Sequence, residues 1–438
     1  MKNSVLVIFL ILAQTGFSSP KNISLESEIQ EIHERWFREA FTLTRNCVGF
    51  SAPVSARAYA YLSITAYESS LEIFSNQHSF SRRLNDYTRT HFIHKKNKKK
   101  VNWALIANSA DYQAICYLYR GMPPSNKKKI DQLFDSIRKV YSTNLIEPMA
   151  QFSEHYGANI AQEIIDWSKT DGGDLGYLQN FPENYNITAG EFLWRPTNPG
   201  YLPALLPFWG SNRTLLNESR ALTSTCSPPS FSSDTSNWLF KDSQNIKNLD
   251  YTLQTDLEVI AEYWNDSPGY SGTPSGHFFC LAMDLVNQNK LTPQKAIQLY
   301  ATLGIALNEA LISCWKLKYT YNFLRPITFI QRHIEPHYNT LLDSPPFPEF
   351  PSGHSFQSGA GCEVLKAFFG NTITFVDSTL LYRRDIDNTP RTYTSIDDLS
   401  EEISISRFYG GIHYETTLRI SLHYGRIIGQ YVSTECAR

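Results

Sequence analysis

Apolar residues return every three or four positions along most of this chain, and strict apolar/polar alternation is scarce. That periodicity constrains the fold to helices that bury one face each. Between Ser24 and Thr44, the residues Ile29, Ile32, Trp36, Ala40 and Phe41 share one helical face. Pro53 opens a second helix through Ala56, Ala60, Ile64 and Tyr67, since Pro is tolerated in a first turn. The same pattern predicts helices over 148–168, 253–264, 276–288, 293–317, 354–369 and 415–432. Between Thr170 and Asn248 the periodicity lapses and Gly, Pro, Asn and Ser become frequent. This reads as a long irregular excursion over the surface of one domain. The expectation is an all-α fold, a single domain over 20–438 with long irregular surface loops and its chemistry in 262–438.

The first 19 residues pair Lys2 with an apolar stretch, Val5 to Ala13, and a small-residue exit, Gly16 to Ser19. This is the pattern of a secretory signal peptide, so the mature chain is expected to be exported, periplasmic or secreted. No later segment reads as apolar for long enough to insert stably in a membrane. With 40 basic and 42 acidic residues the net charge is -2, which argues against nucleic acid as a partner. One basic run, His94 to Lys100, reads as a solvated loop or helix end. Seven cysteines are scattered without a CxxC pair, so neither a zinc knuckle nor a redox motif is supported. Export permits disulfides, but an odd number leaves one thiol unpaired. Four sequons begin at Asn22, Asn186, Asn212 and Asn217.

Three segments combine chemically. Lys318 and Arg325 lie seven residues apart, close to two helical turns, and are expected on one side of a helix that Pro326 then stops. Two like charges on one face repel unless an anion lies between them. Pro351-Ser352-Gly353-His354 enters an apolar helix whose first free amides and dipole favour an anion. Ser352 adds a hydroxyl donor, Gly353 lets backbone approach closely, and His354 can exchange a proton near neutral pH. Arg407 and His413 flank Gly410-Gly411, whose bend can turn both toward one point. Each segment alone reads equally as a helix end or a buried structural histidine. Together they supply three cations, helix-start amides, a hydroxyl and two imidazoles for a tetrahedral or trigonal-bipyramidal oxyanion. The tetrapeptide recurs as Pro274-Ser275-Gly276-His277, but only the second copy lies between the other two segments, so His277 is expected to be structural or supporting.

The run K-x6-RP, PSGH and SR-x5-H resembles the superfamily of vanadium-dependent haloperoxidases and type 2 phosphatidic acid phosphatases. The stretches 51–69 (SAPVSARAYAYLSITAYES), 203–210 (PALLPFWG) and 262–269 (EYWNDSPG) also look like its exported bacterial haloperoxidase-like group. The resemblance implies two packed four-helix bundles and a vanadate (vanadium(V)) cofactor bound through the distal ring nitrogen of His413. It implies that Lys318, Arg325, Ser352, Gly353 and Arg407 hydrogen-bond the oxyanion and that His354 acts as acid/base. Hydrogen peroxide would then oxidise a halide ion to hypohalous acid, which passes to a small organic acceptor. Trp315 and Phe347 resemble residues beside the vanadate pocket of haloperoxidases, and Asp266 resembles an acid that pairs with the site's cations. The family often places Asp four residues after the last motif's His; here that position is Thr417, with Glu415 nearby, so the carboxylate orienting His413 is not identified. The same residues suit an acid phosphatase in which His413 becomes a phosphohistidine. An exported phosphate-binding protein is a third reading, less suited to two imidazoles. Iodide, the easiest halide to oxidise, is the expected substrate, with bromide next; oligomeric state is left open.

Overall fold

Helix starts follow from local chemistry. Ser24 accepts from the Ser27 amide and begins α1 (Leu25–Asn46). Pro occupies the first turn of α2 (Ala52–Ser70), of α4 (Pro124–Ser142) and of α5 (Glu147–Ser168), while Asn102 caps α3 (Trp103–Leu118). The computed structural model describes residues 24–74, 77–93, 98 and 100–438. The N-terminal 19 residues and most of the basic run lie outside those. Asn22 does too, and Asn212 is buried against glycan attachment.

The irregular stretch after α5 holds two 3-10 turns (Gly176–Leu178 and Trp209–Ser211), a single α-turn, α6 (Ser219–Leu222), and α7 (Trp238–Lys247), capped by Asn237. The remaining helices are α8 (Thr255–Tyr263), α9 (Thr273–Asn289), α10 (Pro293–Tyr321), α11 (Pro326–His333), α12 (Gly353–Phe369), α13 (Ile396–Tyr409) and α14 (Glu415–Ala437). Between α12 and α13, β1 (Thr372–Asp377) and β2 (Arg391–Ser395) pair antiparallel.

The helices gather in two groups. α1, α2, α3 and α5 pack together with α4 against α3, and α10, α12, α13 and α14 form the second group. α10 joins them, packing on α2 as well as α12. Its 29 residues are long and apolar enough to span a membrane, contrary to the expectation that no such segment follows the N-terminus, yet 94% of its apolar window is buried within the protein. Leu303, Ile305 and Leu307 are fully inaccessible, and burying each such side chain contributes ~1.5–3 kcal/mol. Packing therefore accounts for the hydropathy. All seven cysteines are free thiols.

α12 and α14 touch backbone to backbone. A Cβ on Gly425 would lie 2.2 Å from the Phe356 carbonyl oxygen, and one on Gly429 would lie 2.4 Å from that of Ala360. One on Gly359 would meet the Leu422 oxygen at 2.6 Å. No side chain fits there.

Candidate oxyanion site

Lys318 and Arg325 do not share a helix. α10 ends at Asn322 in the left-handed region (φ 47°), and Pro326 starts α11 instead of stopping a helix, with Arg325 at its N-cap. The break lets Phe323 form a bridge to Leu193 and brings Arg325 beneath the third motif. Its Nη1 donates to the Ile412 carbonyl at 2.9 Å and to His413 Nε2 at 3.1 Å, and its Nε donates to the Phe347 carbonyl at 3.0 Å. Lys318 Nζ donates to the carbonyls of Pro348, Glu349 and Pro351 at 2.8, 3.0 and 2.5 Å. Arg407 Nη1 donates to the Trp264 carbonyl at 3.0 Å, and its Nη2 to Asn265 Oδ1 at 3.4 Å. None of the three forms an ion pair with a carboxylate among the described residues.

Their pKa values record that situation. Burial, reinforced by Arg325, lowers Lys318 to about 7. Burial lowers Arg325 to about 10, and burial with Arg325's charge lowers Arg407 to about 9. Burial and the same cations push His413 and His354 well below the usual imidazole value, so both are neutral at pH 7. An arginine can only donate, so His413 Nε2 is the acceptor and its proton sits on Nδ1. Nδ1 donates to Glu349 Oε1 at 2.7 Å.

Glu349 is the orienting carboxylate that sequence reasoning missed. It lies three residues before Ser352 and is fully buried, and the same Oε1 accepts from Thr417 Oγ1 at 2.6 Å and from the Tyr414 amide at 3.3 Å. Thr417, standing where the family often has Asp, thus holds the acid in place. Glu415 pairs with Arg419 and plays no part. Burial raises Glu349 to about 7 against the pull of Thr417, Arg325 and Lys318. A carboxyl isolated between prolines, Pro348 and Pro351, in an apolar stretch was the available signal.

The two PSGH copies differ in register against their helices. Ser352 is the N-cap of α12 and accepts from the Ser355 amide at 3.3 Å, which leaves Gly353 and His354 in the first turn. α9 starts one residue before its tetrapeptide, so Ser275 and His277 lie inside the helix. His277 sits between Asp266 and Asp377, at 2.9 Å from each, and is stacked on Trp264. Burial opposes its protonation, but the two acids outweigh that and raise it to about 10. It is a charged strut behind the Trp264–Asp266 turn that receives Arg407. Asp266 accordingly pairs with His277 and not with a site cation, although its charge still favours the cationic form of Arg407.

A chamber of about 50 Å³ lies where these groups meet, lined by Gly353, His354, Arg407, His413, Trp315 and Phe347 among others. Trp315 and Phe347 form a tilted pair 5.0 Å apart, with Lys318 4.8 Å and Arg325 5.0 Å from the Phe347 ring centroid. Arg325 Nη2, Arg407 Nε and His354 Nε2 are buried without a protein partner. The donors, their charge and the chamber suit a small oxyanion such as vanadate or phosphate. Lys318 is the exception: carbonyls already engage its three protons, so it offers charge and holds the Pro348–Pro351 loop. Among the described residues no cluster of three His, Cys, Asp or Glu could hold a bare metal ion.

Fold and chamber define an α-helical protein with a buried cationic chamber suited to a small oxyanion, one carboxylate-oriented imidazole and a second whose Nε2 has no partner. Residues 298–438 match the family model for the VCPO second helical-bundle domain. The crystal structure of the first bacterial vanadium-dependent iodoperoxidase superposes with a TM-score of 0.82 at 26% identity, covering 96% of this chain and 98% of that one. Holo- and apo-type bacterial vanadium-dependent chloroperoxidases share the fold at 14% identity, with TM-scores of 0.65 and 0.63. The holo form covers 90% of this chain and 94% of its own, the apo form 88% and 92%. A search of curated proteins by sequence finds no match. The C-terminal third of the chain thus carries the VCPO second helical-bundle domain, and the whole chain shares the fold of these bacterial vanadium-dependent haloperoxidases.

Proposed function

We propose that the protein is a vanadate-dependent haloperoxidase that uses hydrogen peroxide to oxidise iodide, and bromide less readily, to hypohalous acid. One observation carries this reading: three buried cations without carboxylate partners surround a neutral imidazole whose Nδ1–Glu349 bond leaves Nε2 unprotonated, with only Arg325 Nη1 donating to it. Vanadate, when bound, supplies a Lewis-acidic centre that activates hydrogen peroxide for oxygen transfer to halide. Arg325, Arg407, the Gly353 amide and the Ser352 hydroxyl would hold it, with His413 Nε2 as its ligand. The Glu349 carboxylate fixes the tautomer and raises the basicity of that nitrogen. His354 is neutral, and its unpartnered Nε2 can take a proton from incoming peroxide and return it to the departing water. Trp315 and Phe347 wall the chamber, exclude water and present ring edges and faces to a polarisable halide. The match to an iodoperoxidase at 26% identity favours iodide. Export through the N-terminal 19 residues accords with a peroxide-consuming enzyme held outside the cytoplasm.

The test is peroxide-dependent iodide oxidation with and without orthovanadate, run beside a phosphate-monoester assay. Oxidation that requires vanadate and is suppressed by excess phosphate is expected. Phosphate release without vanadate-dependent oxidation would instead place the chemistry at a phosphohistidine on His413.

A further inference from the structure

The inner chamber opens into a larger one. This outer cavity, about 410 Å³, shares Trp315, Phe347, His354 and Arg407 with the inner site. Hydrogen peroxide and a halide ion fill only a small part of such a volume, which falls within the ~300–1,000 Å³ range of small-molecule sites. Its outward walls include Pro53, Pro199 and Pro345, rings with little freedom to lose when a ligand docks. At its lining, Tyr201 and Leu202 remain 66% and 49% exposed, large apolar side chains that packing has left open to solvent.

Charge on the lining is sparse and mostly acidic, beside the neutral polar groups of Thr197, Asn198, Asn265 and Ser267. Arg407, committed to the oxyanion, is the only lysine or arginine of the lining, whereas Asp266 and Asp343 both contribute to it. Two hydroxyls, Ser51 and Ser344, line the cavity with no hydrogen-bond partner, and Ser51 is more than nine-tenths buried. A buried hydroxyl without a partner is uncommon and suits a ligand's own hydroxyl.

We propose that the outer cavity binds a neutral phenolic acceptor, its ring against the proline and aromatic walls and its hydroxyl at Ser51 and Ser344, and that the acceptor is halogenated there. The inference rests on the haloperoxidase reading for its chemistry. A ring carbon ortho or para to the hydroxyl donates its electron pair to the halogen of hypohalous acid, forming the carbon–halogen bond as the oxygen–halogen bond breaks. The displaced ring proton joins the released hydroxide as water, so no further oxidant is needed. Carboxylated acceptors are disfavoured, because Asp343 repels them and Arg407 is already engaged when the oxyanion is bound.

Two arms test this on the full chain. Calorimetric titration of vanadate-loaded, peroxide-free protein with 4-methylphenol should show saturable binding. That binding should weaken about tenfold for 4-hydroxybenzoate, for Leu202→Arg and for Ser51→Ala. In the vanadate-loaded enzyme, 4-methylphenol and 4-hydroxybenzoate compete for iodination. The product ratio should exceed that given by reagent hypoiodous acid about tenfold and fall toward it in Leu202→Arg. A wild-type ratio equal to the reagent's, or absence of saturable binding, would overturn the proposal. If loaded protein oxidises no iodide, the haloperoxidase reading has failed, and the binding arm alone decides whether the cavity is a phenol site.

Discussion

The two halves of the molecule bury cations in opposite ways. In the N-terminal group Arg57 donates to Asp171 at 2.7 Å, and Arg89 donates to Glu68 and Glu72 at 2.9 Å each. Burial would lower both guanidinium pKa values, but Asp171 and Glu68 outweigh it and leave both above the ordinary value. In the C-terminal group Lys318, Arg325 and Arg407 are equally buried, donate only to neutral groups, and are all pulled down. A buried cation matched by a carboxylate fixes structure. Three unmatched ones form a receptor whose counter-charge arrives with the ligand.

Replacing His413 is expected to break the receptor without touching the scaffold. His413→Ala should eliminate vanadate-dependent iodide oxidation, a loss of at least ~10³-fold, while circular dichroism and thermal unfolding of the vanadate-free protein stay near wild type. Retained oxidation would refute the site.

The sharpest contrast lies between two arginines. Arg89→Met leaves Glu68 buried and unpaired and should cost ~3–5 kcal/mol in urea unfolding. Arg407→Met removes an uncompensated charge, so in anion-free buffer it should be neutral or stabilising. Equal losses in the two variants would erase the distinction. Glu349→Gln is a milder perturbation, expected to weaken vanadate affinity ~10–100-fold, with the deficit seen in equilibrium binding as well as turnover.

The smallest effect is a pH dependence. Lys318 titrates at about 7 when folded and at ~10.4 when unfolded. Between those values the unfolded chain binds more protons, so stability rises with pH across that window and is lowest below about 7. An oxyanion favours charged Lys318, so phosphate binding at pH 8 should take up part of a proton. Calorimetry in buffers of different ionisation enthalpy measures this, and proton release would count against the charge assignment.

Much of this was legible in the sequence, and the rest failed for identifiable reasons. The strongly periodic helices α1, α5 and α10 begin within two residues of the positions expected from their caps and prolines. The three motif segments converge, although Lys318 and Arg325 do so from the end of one helix and the start of the next and not from one helical face. Pro326 misled because the same residue type can stop one helix and open the next, and only the backbone of Asn322 decides which. α13 begins in an acidic run, Asp397, Asp398, Glu401 and Glu402, with little apolar periodicity to see. Glu349 escaped because its partner lies 64 residues away, and a long-range bond leaves no local pattern.

The glycine contact between α12 and α14 bears on how such an enzyme can change over generations. Those helices carry His354 and follow His413, and the three glycines let their backbones touch, so almost any substitution there would push the two imidazoles apart. The outer rim of the larger cavity, residues 197–202 and 343–346, has no such restriction, since it is loop with half-buried or exposed side chains. Drift is therefore partitioned. The oxidising centre is locked against inheritance of small errors, while the acceptor end is free to be retuned one residue at a time.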